Sequence, residues 1–220
     1  MAYKVIIPTA GLGSRLGNLT KNINKSLVSV SYKPVISWQF EKLHIDCEII
    51  VPLGYKGKLI KEFLELVYPK RKIRFIEIQT FEGPNAGLGQ TLLQCENYLK
   101  EKFIFLACDC MFKENIPDCN TNWLGYSPSF SNSNNYRMVE IINGKAKKIY
   151  EKDQIQLSNF YPYIGICNII NFELFWDSLR NSINRSREEG EAFGINSILK
   201  KNFEFSAFPF TWSDTGSLEG

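Results

Sequence analysis

Short apolar runs alternate with amphipathic stretches through the first half of the chain, and this alternation predicts strands and helices in turn. Four runs have the length and apolar character of buried strands, at residues 4–8, 48–51, 73–78 and 103–108. Three stretches carry apolar residues at helical spacing, at residues 34–44, 59–67 and 92–99. Because strands joined through helices run parallel, this order predicts a parallel sheet covered by helices on both faces.

The pattern changes in the second half. Residues 120–135 are rich in Asn, Ser, Pro and Gly without periodicity, which predicts loops and turns. Strands are expected at residues 137–142, 146–150 and 164–170, and Asn143-Gly144 predicts a hairpin turn between the first two. Helices are expected at residues 172–183, behind a capping Asn171, and at 195–201, and the run 203–208 leads into the final segment. The expected fold class is therefore α/β, with a Rossmann-like mixed, mainly parallel sheet.

Bulk properties narrow the class of protein. The 220 residues suit one compact domain, and 44% hydrophobic with 22% charged residues is typical of a globular protein. The net charge of +3 comes from scattered lysines, which argues against a nucleic-acid surface. Six cysteines without a C-x-x-C pair favour neither a zinc site nor a redox dithiol, and no apolar stretch reaches membrane-spanning length. We expect a cytoplasmic protein without nucleic-acid or membrane partners.

A glycine-rich loop, residues 9–17, follows the first predicted strand directly, and such loops let backbone N–H groups hold phosphate oxygens. A dinucleotide fingerprint needs a third glycine where Leu16 stands, and the Gly-Lys-Ser/Thr of a P-loop is absent. The loop instead contains Arg15, and Lys25 lies ten residues further on. A planar guanidinium for a leaving pyrophosphate and a point charge near the reacting phosphorus together suit a triphosphate.

The predicted strand at residues 103–108 ends at Asp109, which places a carboxylate at the carboxyl edge of the sheet, where open α/β folds bind ligands. Side chains alternate along a strand, so Cys108 and Cys110 are expected to point away from Asp109. Without further context, an aspartate here is equally explained as the cap of the following turn.

The run Ala10-Gly11-Leu12-Gly13-Ser14-Arg15-Leu16, followed by Lys25-Ser26-Leu27-Val28, closely resembles the signature of the sugar-phosphate nucleotidylyltransferases. The resemblance implies the nucleotidyltransferase fold over nearly the whole chain. We therefore expect a single nucleotidyltransferase domain at residues 1–220, with a nucleotide-binding half at 1–112 and an acceptor-binding half at 113–220. In the family this Arg and this Lys contact the triphosphate and support attack at the α-phosphorus, which makes Arg15 and Lys25 the expected catalytic residues.

The resemblance also implies a metal site and a nucleotide pocket. Asp109, and Asp214 in the segment Trp212-Ser213-Asp214-Thr215-Gly216, are similar to the two carboxylates that hold Mg²⁺ in the family. Residues 82–90 resemble the loop whose backbone recognises the nucleobase. The implied nucleotide-binding residues are Ala10, Gly11, Leu12, Gly13, Gln79, Glu82, Asn85, Ala86 and Gly87.

Acceptor contacts are implied by two further segments. Glu151-Lys152 is similar to a Glu-Lys-Pro element that contacts the sugar phosphate in relatives, although Asp153 replaces the proline, and this points to Lys152. The run at residues 163–166 resembles the family's glycine-containing strand beside the acceptor, although its glycine is equally explained by a strand bulge. The remaining implied acceptor residues are Tyr163, Gly165 and Trp212.

These observations predict an enzyme that transfers a nucleoside monophosphate from a triphosphate to a phosphorylated small acceptor and releases pyrophosphate, with Mg²⁺ as cofactor. Residues 107–112 and the short chain resemble cytidylyltransferases of surface-polysaccharide pathways, which favours CTP and leaves sugar 1-phosphates, phosphocholine-like and phosphoglutamine-like acceptors open. One alternative is a nucleotide-sugar-dependent glycosyltransferase, but such enzymes usually show Asp-x-Asp where this chain has Asp109-Cys110-Met111. Another is a non-catalytic nucleotide sensor. A monomer and a homodimer are equally compatible with the sequence.

Overall fold

A computed structural model describes residues 3–129, 135–152, 158–182 and 190–217. Within these ranges, no helix combines the length and the apolar character needed to cross a membrane. The strands are β1 Lys4–Ile6, β2 Ser29–Val30, β3 Lys33–Pro34, β4 Glu48–Leu53, β5 Lys72–Glu77, β6 Phe103–Leu106, β7 Cys110–Phe112, β8 Trp123–Tyr126, β9 Met138–Ile142, β10 Lys145–Tyr150, β11 Phe160–Ile169, β12 Phe205–Pro209 and β13 Trp212–Asp214. The α-helices are α1 Val35–Lys42, α2 Gly57–Val67, α3 Leu88–Cys95, α4 Phe172–Ser182 and α5 Glu191–Lys200, and 3₁₀ turns cover Ser14–Thr20, Lys25–Leu27 and Glu96–Tyr98.

Nine of these strands form one sheet in the order β5-β4-β1-β6-β11-β8-β12-β10-β9. The strands β5, β4, β1 and β6 are parallel, whereas β11 runs antiparallel to both β6 and β8. The strand β12 is parallel to β8, and β10 is antiparallel to β12 and β9. The predicted α/β class with a mixed sheet is therefore confirmed. Because β11 also pairs with β9, the last five strands of this order close into a ring.

Helices cover both faces of the sheet, as the alternating pattern predicts. In β1, Val5 points into one apolar cluster and Ile6 into another, because successive side chains of a strand face opposite sides. The cluster that contains Val5 packs the sheet against α1 and α2, and the cluster that contains Ile6 packs it against α3, α4 and α5. A stacked Phe103–Trp176 pair anchors α4, and the indole nitrogen of Trp176 donates a hydrogen bond to the Leu99 carbonyl at 3.0 Å.

The expectation that residues 120–135 contain only loops and turns is wrong. The strand β8 lies inside this stretch, between β11 and β12, and its Trp123 and Leu124 are fully buried. A Cβ atom at Gly125 would lie 2.5 Å from Ile166, so the glycine lets the two strands approach closely. Four strand residues between polar turn residues are too short a window for a periodicity to register. Residues 130–134 lie outside the described ranges.

Other element boundaries move by a few residues. The helix α3 begins at Leu88 where 92 was predicted, β11 begins at Phe160 where 164 was predicted, and the predicted helix end at residue 183 lies outside the described residues. The hairpin between β9 and β10 is confirmed, with φ of 51° at Asn143 and 70° at Gly144. The pairing of β7 with β13 in a separate two-stranded ribbon was not predicted.

Candidate active site

The glycine-rich loop that follows β1 forms one wall of a cavity of about 390 Å³ at the carboxyl end of the strand. Seven of the residues expected at a nucleotide site or as catalytic line this cavity, namely Ala10, Gly11, Leu12, Gly13, Lys25, Ala86 and Gly87. Five residues that the sequence did not single out complete the lining, namely Pro8, Ser14, Phe81, Leu88 and Thr91. The cavity combines backbone groups of two glycine-containing loops with an aromatic ring and a lysine, which suits a nucleotide.

Lys25 is held in this cavity by its neighbour Asn24, which is fully buried. The Asn24 amide nitrogen donates hydrogen bonds of 2.8 Å to the carbonyl oxygens of Thr9 and Tyr55. Its oxygen accepts hydrogen bonds from the backbone nitrogen and the hydroxyl of Ser26, at 3.0 and 2.9 Å. One side chain thus ties the Lys25 turn to the end of β1 and to the segment that follows β4. Sequence reasoning missed Asn24, although an asparagine before a helical turn is a familiar cap.

Two glycines allow the loop to close over its neighbours. Gly13 has a φ of 69°, and a Cβ atom there would lie 3.0 Å from the Cβ atom of Lys25. A Cβ atom at Gly54 would lie 2.6 Å from the Ala10 carbonyl oxygen, which accepts a hydrogen bond of 2.9 Å from the backbone nitrogen of Tyr55. Side chains at these two positions would push the loop away from Lys25.

A second, smaller cavity of about 160 Å³ is lined by Arg15, both candidate metal ligands and all four expected acceptor residues. Of the latter, Gly165 has a φ of 78° and lies where the register of β11 against β8 shifts, so it also forms the bulge that the sequence left open. The expected residues in its wall are Arg15, Asp109, Lys152, Tyr163, Gly165, Trp212 and Asp214. The sequence did not predict Ala107, Asn135, Tyr136, Arg137, Ile164 and Glu191, which complete the wall.

The ribbon of β7 and β13 brings the two candidate metal ligands together across 105 positions of sequence. In this ribbon Asp214 pairs with Cys110, the residue after Asp109. The next residue, Thr215, donates hydrogen bonds to the Asp109 carbonyl oxygen from its backbone nitrogen at 3.2 Å and from its hydroxyl at 2.8 Å. Backbone pairing therefore fixes the two aspartates beside each other.

The Asp109 carboxylate forms an ion pair with Lys25, whose Nζ lies 2.8 Å from Oδ2. Arg15 is more distant, with Nη2 4.0 Å from the same oxygen and 57% of its side chain exposed. Burial favours the neutral form of Asp109, but Lys25, through its charge and its hydrogen bond, and then Arg15 outweigh burial and hold the pKa of Asp109 below its usual value. Burial also lowers the pKa of Lys25, yet Cys108 and Asp109 raise it more, so its net pKa lies above the usual range.

Both cysteines that flank Asp109 are buried in the apolar cluster on the α1 side of the sheet. Cys108 also lies close to Lys25, and burial raises the pKa of its thiol to about 11 even though the Lys25 ammonium acts in the opposite direction. The strand β6 ends at Leu106, so the alternation of side chains along a strand does not extend to residues 108–110. As a result, Cys108 and Asp109 both lie close to Lys25.

The two carboxylates present hard oxygen donors on either side of Gly216. A Cβ atom at Gly216 would lie 2.4 Å from Oδ2 of Asp109 and 3.1 Å from Oδ1 of Asp214. Asp214 is oriented by the Gly216 backbone nitrogen at 2.8 Å and by the Tyr136 hydroxyl at 2.9 Å. Among the described residues, no group of three or more His, Cys, Asp or Glu side chains is arranged to hold a metal. Two carboxylates fit Mg²⁺, which keeps several waters and binds substrate phosphates for its remaining positions.

The close approach at Gly216 predicts that Gly216→Ala impairs any chemistry that needs both aspartates. The added methyl group must displace the Asp109 carboxylate or the Gly216 backbone, and a misplacement of about 1 Å at a reacting centre costs about 10²-fold in rate. We expect a fall of that size in the rate of a reaction that uses both carboxylates, measured over a range of Mg²⁺ concentrations. Gly144→Asn, a glycine replacement in the distant β9–β10 turn, serves as the control, and equal rates in both variants would contradict the assignment.

Three expected base contacts lie elsewhere. Gln79, Glu82 and Asn85 are exposed and lie outside the lining of the larger cavity, where the ring of Phe81 is found instead. The backbone nitrogen of Gln79 donates a hydrogen bond of 3.2 Å to the Gln94 side chain, which directs this segment toward α3. Of the predicted loop, Ala86, Gly87 and Leu88 line the cavity.

The half-buried Arg137 and the buried Glu191 form a charged wall of the smaller cavity. Arg137 Nε donates to both carboxylate oxygens of Glu151, at 3.1 and 2.9 Å, and its Nη1 lies 3.8 Å from Oε1 of Glu191. Glu191 is 4% exposed, and its Oε2 has no hydrogen-bond partner in the part of the chain that the structure describes. Burial raises the pKa of Glu191 more than Arg137 lowers it. The two residues lie 54 positions apart in sequence, so no local pattern could have paired them.

The chain is similar in sequence to several known proteins. A bifunctional protein GlmU from Methanococcus vannielii is 28% identical over 210 residues, which cover 91% of this chain and 48% of the relative. A choline-phosphate cytidylyltransferase from Streptococcus pneumoniae is 39% identical over 112 residues, which cover 50% of this chain and 46% of the relative. The chain thus spans about half the length of the curated relatives it matches. No family model matches the chain.

The fold has clear counterparts among solved structures. A UDP-glucose pyrophosphorylase complexed with UDP-glucose superposes with a TM-score of 0.80, covering 100% of this chain and 95% of that one at 17% identity. At that identity the likeness concerns the fold alone. The relatives named for an activity include nucleotidyltransferases for sugar phosphates and for choline phosphate, in keeping with the loop signature.

Proposed function

We propose that this chain, which belongs to the sugar-phosphate nucleotidylyltransferase superfamily, transfers a nucleoside monophosphate from a triphosphate to a phosphorylated small acceptor, with release of pyrophosphate. One observation carries the proposal. Lys25 lines the larger cavity, Asp109 lines the smaller one, and the two side chains meet at 2.8 Å. The boundary between a nucleotide cavity and an acceptor cavity is where the α-phosphorus has to lie.

The mechanism that fits this geometry is an in-line attack by a phosphate oxygen of the acceptor on the α-phosphorus. The acceptor arrives ionised, so the reaction needs no protein nucleophile or strong base, and positioning with charge stabilisation supplies the rate. In this proposal Lys25 stabilises negative charge at the α-phosphoryl group, and Arg15 holds oxygens of the leaving pyrophosphate. Asp109 and Asp214 would hold Mg²⁺, which neutralises phosphate charge when it is bound.

For the triphosphate we propose CTP, which the cytidylyltransferase among the relatives supports. The described lining of the larger cavity offers backbone groups, the Thr91 hydroxyl and the Phe81 ring to a base. Backbone groups read a base through shape and hydrogen-bond pattern, so the selection among triphosphates rests on the loops at 10–13 and 86–88 rather than on a charged side chain.

If Phe81 contacts the base, Phe81→Ala is expected to raise KM for the triphosphate about tenfold with little change in kcat, because base stacking on an aromatic ring is worth about 1–3 kcal/mol. Steady-state kinetics at saturating acceptor measure this split. Phe203→Ala removes a phenylalanine that is 43% exposed and outside both cavities, and it is the matched control. An unchanged KM in Phe81→Ala would indicate that the base contacts another wall of the cavity.

The wall of the smaller cavity bears on the acceptor. Oε2 of the buried Glu191 has no hydrogen-bond partner among the described residues, and we propose that the acceptor satisfies it, because an unmet buried acceptor costs about 1–3 kcal/mol. Hydroxyl and amino groups of an acceptor would donate to this oxygen, whereas a trimethylammonium group would be held by the carboxylate charge and by the rings of Tyr136, Tyr163 and Trp212. The acceptor classes left open by the sequence therefore all stay open. Surface-polysaccharide synthesis remains the proposed use of the product.

The proposal is tested by a pyrophosphate-release screen of CTP, UTP, GTP, ATP and dTTP against sugar 1-phosphates, phosphocholine and amino-acid-derived phosphates. We expect turnover with one triphosphate and one class of acceptor, and Glu191→Gln should alter the acceptor preference without altering triphosphate binding. Triphosphate binding without turnover across the panel would favour a sensor. Consumption of a nucleotide sugar without pyrophosphate release would favour a glycosyltransferase.

We further propose that residues 1–220 act as one nucleotidyltransferase domain, because β11 of the acceptor half hydrogen-bonds to β6 of the nucleotide half. Six buried cysteines without a disulfide support a reducing compartment such as the cytoplasm. No nucleic acid, membrane or other macromolecular partner is invoked, and the protein would act as a monomer or homodimer. Size-exclusion chromatography with light scattering decides between the last two.

A further inference from the structure

A third cavity lies at the opposite edge of the sheet from the candidate active site. Its volume is about 490 Å³, which exceeds the 390 Å³ of the nucleotide cavity. It is bounded by the segment before β1, the end of α1, the residue before β6 and the loop between β7 and β8. Ligand pockets in proteins are typically about 300–1,000 Å³, so this cavity has the size of a small-molecule site. The proposed reaction does not use it.

The described residues that line this cavity include cationic side chains and an apolar wall. Lys42, His44 and Lys102 contribute the cationic or titratable side chains. The one carboxylate of the described lining, Asp118, accepts a hydrogen bond of 2.7 Å from Asn120. The apolar wall consists of Tyr3, Leu43, Ile116, Pro117 and Cys119.

Both lysines stand at the ends of ordered elements and are held close to the cavity. Lys42 closes α1 and donates a hydrogen bond to the carbonyl oxygen of Lys113. Lys102 donates a hydrogen bond of 3.2 Å to the Asn120 side chain. Each ammonium group has three donors, so both retain capacity for an anion while these contacts keep them in place. Lysine ammonium groups suit a phosphate group as point charges.

We propose that this cavity is a second ligand site, which binds a phosphorylated small molecule that also carries a ring or apolar part. The phosphate would lie against Lys42 and Lys102 with His44 beside it, and the ring would lie against Tyr3 and Ile116. This inference is independent of which nucleotide or acceptor the active site uses.

A ligand in this cavity would affect the candidate active site through α1 and the loop that follows β7. Gln39 of α1 donates hydrogen bonds to the carbonyl oxygens of Ala107 and Cys110, at 2.7 and 2.9 Å, on either side of Asp109. In the same loop Glu114 accepts hydrogen bonds of 2.9 and 2.6 Å from the backbone nitrogen and the hydroxyl of Thr211, just before β13. A ligand that contacts Lys42 and residues 115–117 therefore contacts the helix that carries Gln39 and the loop that carries Glu114.

The test is a titration of the ¹⁵N-labelled protein with cytidine 5′-monophosphate, followed through the backbone amides of residues 43, 44, 115 and 116. These amides should shift in a saturable way that is separate from the shifts of residues 10–13. Lys42→Ala combined with Lys102→Ala should weaken the first set about tenfold or more and leave the second unchanged, because charge-assisted hydrogen bonds to phosphate are lost. Lys58→Ala combined with Lys70→Ala makes the same charge change elsewhere and should alter neither set.

A charge-neutral variant separates binding in the cavity from weak attraction of anions to surface lysines. Asn115→Trp places a large side chain at the cavity and should abolish the shifts at residues 43 and 44, while thermal unfolding reports that the fold is intact. Inorganic phosphate serves as the smaller probe and should bind more weakly than the nucleotide. The proposal is overturned if residues 43, 44, 115 and 116 do not shift at concentrations that saturate residues 10–13. It is equally overturned if Asn115→Trp binds as the wild type does.

Discussion

Asp109→Asn is expected to abolish pyrophosphate release, with a fall in kcat of about 10³-fold or more, while the protein remains folded. The substitution keeps the shape of the side chain but removes the negative charge that faces Lys25 at 2.8 Å and that would help to hold Mg²⁺. The backbone of Asp109, which accepts two hydrogen bonds from Thr215, is unaffected. The rate is measured with the triphosphate and acceptor that the screen identifies.

Two controls make this result specific. Glu62→Gln removes a carboxylate that is 58% exposed on α2 and should leave the rate within about twofold of wild type, because exposed ion pairs contribute little. Removal of divalent metal by a chelator should stop the wild type and leave the residual rate of Asp109→Asn unchanged. Undiminished turnover in Asp109→Asn would refute the metal assignment.

The same variant has a signature in the pH dependence of stability. Although burial raises it, the pKa of Asp109 is held below its usual value by Lys25 and then Arg15. A lowered carboxyl pKa contributes stability that is present above the unfolded-state value, about 4, and is lost as the pH falls through the folded-state value. The loss of unfolding free energy between neutral pH and pH 3 should therefore be smaller in Asp109→Asn than in the wild type, as urea titrations at each pH would measure.

The parts of the fold that the sequence predicted are those where local pattern and environment agree. The strands β1, β4 and β6 are apolar on both faces and are buried on both, and each predicted helix of the first half presents an apolar face to them. The strand β8 was not predicted because its buried residues are few and its flanks are polar. Its burial comes from β11 and β12, which are distant in sequence, and composition carries no information about such neighbours.

The candidate site divides in the same way. Lys25 and the glycines of the first loop could be singled out because they lie in one stretch, residues 9–25, that follows the first strand directly. The approach of Asp214 to Asp109 depends on the β7–β13 ribbon, which only tertiary structure forms, so that pairing came from resemblance alone. No resemblance to the family pointed to Arg137 and Glu191. Phe81 lines the cavity whereas Gln79, Glu82 and Asn85 do not, because the backbone path of this segment decides which of its residues face the cavity.

Lys25→Met is expected to lower kcat by about 10²–10³-fold while the triphosphate still binds, because the lost charge matters most when negative charge builds up in the transition state. Lys25 meets Asp109 at the boundary of the two cavities, whereas Arg15 is 57% exposed and 4.0 Å from the same carboxylate. Arg15→Met should therefore act more on triphosphate affinity than Lys25→Met does. Lys25→Arg should not restore the rate, since a planar guanidinium does not reproduce the compact ammonium group that lies 2.8 Å from Asp109.

Lys33→Met is the matched control, because Lys33 is also an ion-paired lysine, bonded to Glu41, in the hairpin that follows the Lys25 turn. Its replacement should leave kcat within about twofold of wild type. Direct binding of the triphosphate, measured by calorimetry, separates the two possible roles of Lys25. A large rise in the dissociation constant with an unchanged kcat would show that Lys25 holds the ground-state triphosphate, and the assignment to the reacting phosphoryl group would then pass to Arg15.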